Sequence, residues 1–105
     1  MAMKDKRLEL DDKLREILGS SNVYFQPPEG KKINYPCIVY ERNMIRIGYA
    51  DNKPYYRFAG YRLTFISHDP DSNVNDRILE MSGVRYERHY NQDGLNHDVY
   101  ILSFI

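Results

Sequence analysis

The chain has no tryptophan and one cysteine, and its fifteen basic side chains are cancelled by fifteen acidic ones, so its formal net charge is zero. Each shortage removes an explanation. A lone Cys37 forms no internal disulfide, and its neighbours Pro36 and Ile38 mark it as a small buried hydrophobe rather than an activated thiol. Zero net charge supplies no overall field toward a polyanion or an anionic membrane, which argues against specific nucleic-acid binding. No run approaches the ~20 apolar residues of a bilayer-spanning helix, and the polar start through Lys4 and Lys6 is followed by no apolar stretch of signal-peptide length, so the expectation is a soluble chain made in the cytoplasm. Gly48 and Gly60 stand apart, which leaves no Gly-rich loop to cradle a phosphate.

Tyrosine is abundant instead, with ten among 105 residues. It joins a large apolar ring to a polar tip and suits surfaces that are wet at one time and covered at another. The length corresponds to one domain, residues 1–105.

Leu10, Leu14, Ile17 and Leu18 recur at the spacing of one helical face, with Asp11 placed four residues before Arg15 and Gly19 as a stop, so a helix is expected from Asp5 to Leu18. A short β-prone run, Val23 to Gln26, is cut off by Pro27 and Pro28. A second strand reads from Cys37 to Glu41, and after a break the alternation of Ile45, Ile47 and Tyr49 extends it. The longest β signal runs from Tyr55 to His68. Asp69 to Ser72 then break the chain and offer caps for a helix around Val74, Ile78 and Met81 that Gly83 ends. Last comes a hairpin, Val84 to Gln92 and Leu95 to Ile105, joined by Asp93–Gly94, the dipeptide suited to a type I′ turn. That turn would set Tyr86 opposite Ile101, Arg88 opposite Val99, Glu87 opposite Tyr100 and His89 opposite Asp98. The sum is an α+β fold: a mixed, mostly antiparallel sheet of four to six strands with two helices packed on one face. The last strand is apolar on both sides, Val99 and Ile101 on one, Tyr100, Leu102 and Phe104 on the other, and two short helices cover only one sheet face. The Tyr100/Leu102/Phe104 side is therefore expected to meet another copy of the chain.

The chemistry-bearing residues do not assemble into a catalytic pattern. His68, His89 and His97 lack metal-ligand spacing. His89 opposite Asp98 resembles an oriented imidazole, but no nucleophile in a strained turn accompanies it, so cross-strand pairing is the expected role. Asp69, Asp71 and Asp76 read as helix caps, because the Gly and Glu spacing of a calcium loop is missing. No enzyme, metal site or cofactor is expected. The interleaved rings and arginines of Tyr55-Tyr56-Arg57-Phe58 and Arg85-Tyr86-Glu87-Arg88-His89-Tyr90 could hold a single strand, yet they equally have the composition of protein interface hot spots.

Several phrases resemble the small tail-completion and tail-terminator proteins of long-tailed bacteriophages and prophages. They are the N-terminal amphipathic helix, Val23-Tyr24-Phe25-Gln26-Pro27-Pro28, Tyr35-Pro36-Cys37-Ile38-Val39-Tyr40, Tyr49-Ala50-Asp51-Asn52, Asp69-Pro70-Asp71-Ser72 and Asp93-Gly94-Leu95-Asn96-His97, and together they span nearly the whole chain. The resemblance implies a sheet with two helices and a structural role in the virion tail or neck, assembled in the bacterial host cytoplasm. The subunit would form a homo-oligomeric ring, commonly of six copies, that caps the tail tube and meets the head connector. A head–tail adaptor or tail-tube subunit is the related alternative, and a small nucleic-acid-binding module the unrelated one. No active site is implied. The interface candidates are Tyr49, Tyr55, Glu87, His89, Asp98, Tyr100, Leu102 and Phe104, with the 27–34 loop and the 44–53 stretch as segments long enough to reach a neighbour.

Overall fold

The leucine spacing near the N-terminus does produce a buried helical face in the computed structural model, which describes residues 3–103, the Tyr55 side chain apart. Helix α1 runs Met3–Leu18 and buries Leu10, Leu14 and Ile17. It ends where Gly19 takes φ 79° and donates its N–H to the Arg15 carbonyl at 2.8 Å, the left-handed stop that glycine adopts without a Cβ penalty. Strands β1 (Val23–Phe25), β2 (Cys37–Ala50) and β3 (Lys53–Ser67) follow, then helix α2 (Asn73–Leu79) and strands β4 (Val84–Gln92) and β5 (Leu95–Leu102). Ser72 caps α2 by accepting from the Val74 N–H at 3.3 Å.

The five strands form one sheet in the order β1-β2-β3-β5-β4. β1 pairs parallel to β2, and every other pairing is antiparallel. This is the α+β architecture that the periodicities imply. Asp93 and Gly94 both take positive φ, 55° and 77°, as a type I′ turn requires. The β2–β3 turn repeats the device without glycine, with Asp51 at φ 51° and Asn52 at φ 63°, since Asp and Asn tolerate the left-handed region better than other residues with a Cβ.

The core lies between the helices and one sheet face. Ile38 and Tyr40 of β2, Tyr61, Leu63 and Phe65 of β3, and Tyr100 and Leu102 of β5 pack there against Leu10, Leu14, Ile17, Val74 and Ile78. A polar latch holds α1 on β2: the Tyr40 hydroxyl donates to Asp11 at 2.7 Å, and Arg15 Nε donates to the other Asp11 oxygen at 2.6 Å. Tyr40 also joins Phe25 and Tyr61 in a tilted and edge-on cluster, with ring centroids 5.0 to 6.4 Å apart.

Burial sets a pH limit on this core. It pushes the Cys37 thiol up to about 12 and raises the Tyr40 and Tyr100 phenols; the bond to Asp11 and the charge of Asp98, respectively, add to the effect. Folding thus favours the protonated forms. The contribution is complete below about pH 7.5, where the unfolded chain is protonated at these groups too, and it is lost as pH climbs from the ordinary thiol and phenol values toward the raised ones. Urea unfolding between pH 8 and 11 should show stability falling on the alkaline side, each group steepening the fall by at most about 1.4 kcal/mol per pH unit. A flat profile would mean that these groups are solvated.

Candidate assembly surface

β2 and β3 outrun their neighbours. β1 pairs with β2 only at residues 38–40, and β5 pairs with β3 only at residues 61–67, yet the β2–β3 ladder continues to Ala50↔Lys53. Residues 42–60 therefore leave the sheet as a two-stranded arm about 30 Å long at ~3.4 Å per residue. The molecule measures 52 × 27 × 23 Å with a radius of gyration of 14.8 Å, against about 13 Å for a compact domain of this length. An isolated two-stranded ribbon is at best marginally stable in water.

The arm is packed at its inner end, where Ala59 joins the core and Lys6 of α1 lies 4.5 Å over the Phe58 ring, and is apolar beyond it. Tyr49 is 65% exposed and Met44 54%, and Ile45, Ile47 and Tyr56 are also exposed. A register shift between Arg42 and Met44 leaves Asn43 as an extra residue, the kind of bulge that bends a strand and increases its twist. Beyond it the rungs are Met44↔Gly60, Ile45↔Ala59, Arg46↔Phe58, Ile47↔Arg57 and Gly48↔Tyr56, so Ile45, Ile47 and Arg57 share one side of the ribbon. On the other side the Tyr56 and Phe58 rings lie 4.9 Å apart. A Cβ on Gly48 would fall 2.1 Å from the Tyr56 ring, so Gly48 is the floor on which that ring lies. Gly48→Ala is expected to lift the ring off Phe58, visible as changed ring proton shifts for both residues by NMR. The unfolding midpoint should move little, because the ring is the free end of a side chain and strand propensities differ by no more than ~1 kcal/mol.

Of the residues expected at the interface, Tyr49 lies on the arm and is strongly exposed. Phe104 and the Tyr55 side chain lie outside the described residues. Tyr100 and Leu102, expected to face another copy, are each 1% exposed beneath the chain's own helices, which corrects that expectation. The helices chose the Tyr100/Leu102 side because Tyr61, Leu63 and Phe65 on β3 continue it as a broad apolar face.

The opposite face is closed without a third layer, and Val99 is only 2% exposed there. Arg62 of β3 and Glu87 of β4 lie on either side of β5, and their ion pair, 3.5 Å, spans it at the level of Ile101; Arg62 also bonds Glu41 of β2 at 3.2 Å. Their apolar stems roof the strand while the charges stay in water. The roof depends on a second bulge. The β4–β5 register shifts between Tyr86 and Arg88, so Tyr86 lies opposite Tyr100 and Arg85 opposite Ile101, not Tyr86 opposite Ile101 and Glu87 opposite Tyr100 as a regular hairpin would have it. The extra residue, Glu87, turns to the open face. Arg88↔Val99 and His89↔Asp98 are paired as expected.

His89, Asp98 and Tyr86 do come together. Asp98 Oδ1 lies 2.7 Å from His89 Nδ1 and accepts from the Tyr86 hydroxyl at 3.0 Å, while Asp98 Oδ2 is buried with no hydrogen-bond partner. Nearby, the Tyr100 hydroxyl donates to Asn75 of α2. The carboxylate orients an imidazole and a phenol, and burial together with the Asp98 charge raises the Tyr86 phenol above its ordinary value. Cys37 pairs with Ile66, which pairs with His97, so its thiol belongs to the other sheet face. This trio therefore ties β4 to β5 at the edge of the helix layer.

A surface groove of about 500 Å³ lies beside the arm's root between Gln26, Pro27, Val39, Arg42, Arg62 and Thr64. Among the described residues no three His, Cys, Asp or Glu side chains gather as a metal-binding group, and no helix is long and apolar enough to cross a membrane. No protein-family model, no curated protein and no solved structure matches this chain.

Proposed function

We propose that the chain is a structural subunit that works by associating with copies of itself, forming the homo-oligomeric ring of a phage tail-completion or tail-terminator protein. Its further partners are then the tail tube and the head connector, and its place is the virion neck. The observation that carries this reading is the arm. A ribbon that α1 meets through Lys6 over the Phe58 ring still presents five large apolar side chains to water, Ile45 and Ile47 on one side, Met44 and Tyr56 on the other, and Tyr49 toward the tip, and apolar surface of that kind on a projecting element is what an interface leaves when the partner is absent. The resemblance in the sequence supplies the virion role; the arm supplies the physical reason to assemble.

One observation favours a second reading. The arm carries four basic side chains, Arg42, Arg46, Lys53 and Arg57, against one acid, Asp51, beside exposed rings, a combination that suits single-stranded nucleic acid. Sedimentation velocity over rising concentration, followed by negative-stain microscopy, tests the first reading. Discrete closed particles with a central channel are expected. A monomer at the highest soluble concentration would overturn it, and binding of an oligonucleotide with a steep salt dependence would favour the second.

A further inference from the structure

We infer that the arm of one copy docks on the outer surface of α2 in the next. This rests on the assembly reading and names the two surfaces that meet. The arm needs a partner that is apolar at its centre and acidic around it, because Ile45, Ile47 and Arg57 share one side of the ribbon and the arm as a whole is basic. The chain presents such a surface at the other end of β3. Residues 68–80 carry four acids, Asp69, Asp71, Asp76 and Glu80, against one base, Arg77. That base is engaged within the chain, its guanidinium donating to the Ile17 carbonyl of α1 at 2.9 Å. Leu79 stands 49% exposed beside Asp76 and Glu80, which lie at i,i+4 on the same side of the helix end. The match sets Ile45 and Ile47 against Leu79, and Arg57 against the two carboxylates.

The competing acceptor is the free edge of β4, which could pair with the arm strand to strand. Arg85 and Arg88 outnumber Glu87 there, so charge opposes a basic arm at β4 and favours it at α2. The arm precedes the sheeted part of β3 and α2 follows it, so the two surfaces are different patches at opposite ends of one strand. Two different patches allow a head-to-tail contact, which repeated from copy to copy gives a ring where its rotation closes.

Charge exchange tests this. Arg57→Glu alone and the pair Asp76→Arg, Glu80→Arg are each expected to weaken self-association about tenfold at low salt, and the three changes in one chain to restore it. All three positions are exposed, so unfolding midpoints should stay near that of the unsubstituted chain and exclude misfolding as the cause. If the native chain assembles and the charge changes leave it unaffected, or if the combined variant does not recover, docking on α2 is wrong while assembly stands. If the native chain does not assemble at all, both fall.

Discussion

Ile47→Asp is expected to abolish self-association while leaving the monomer folded. Ile47 lies midway along the arm, opposite Arg57 and between Ile45 and Tyr49 in the alternating series. In the monomer Ile47 is 41% exposed, so a carboxylate there can reach water and costs the fold little. In an assembly the same carboxylate is taken out of water among apolar groups, a penalty of several kcal/mol unless a partner is supplied. Even about 2.7 kcal/mol of that penalty raises the dissociation constant a hundredfold. Sedimentation equilibrium should show monomer at concentrations where the native chain is assembled, with the two unfolding midpoints close. Leu8→Asp is the matched control, since Leu8 is an exposed apolar residue on α1 that takes no part in the proposed contact; it should leave assembly unaffected.

Phe65→Ala should be the most damaging single change to the fold. Phe65 is fully buried and sits between Ile38 on β2 and Asp98 on β5, beneath the helix layer. Truncation removes the ring's transfer free energy and opens a cavity that neither strand can close without moving, together about 3–5 kcal/mol. A domain of this size has roughly 5–15 kcal/mol in total, so the variant should retain at most about four fifths of the native stability. Urea titration should give a lower midpoint with an unchanged slope. Val99→Ala, on the other face, should cost distinctly less, because its roof of Arg and Glu stems can settle into the vacated space. Equal losses would mean that the open face is as rigidly packed as the helix face.

Most of the fold could be read from residue spacing. Leu10, Leu14 and Ile17 gave α1 its buried face, Ser72 its role as the α2 cap, and Asp93–Gly94 the final hairpin, because each is a local signal that tertiary packing had no reason to override. What spacing could not decide was which side of β5 the helices would cover. Val99 and Ile101 alternate with Tyr100 and Leu102, and a strand apolar on both sides has no preferred face. The choice depended on Tyr61, Leu63 and Phe65 two strands away in sequence order and on a bulge that turns Glu87 toward Arg62, and neither is visible in a single segment. The expected interface at Tyr100 and Leu102 failed for that reason. The arm was half legible: Ile45, Ile47 and Tyr49 alternate as a strand should, but the break before them hid that β2 runs unbroken through Asn43, and nothing local reveals that β1 and β5 stop short. Tyr49 and the 44–53 stretch were found from the sequence; the part of Tyr56 and of the β3 half of the arm needed the strand ends.

The account depends on copies meeting at the arm, and amide hydrogen exchange followed across a concentration series addresses that directly. Residues 44–48 and 56–58 should exchange rapidly when dilute, as a ribbon whose strands pair only with each other must, and become protected in step with assembly, while the core strands stay slow throughout. Arm amides that exchange equally fast at every concentration in a sample where the protein is assembled would place the contact elsewhere and contradict the account.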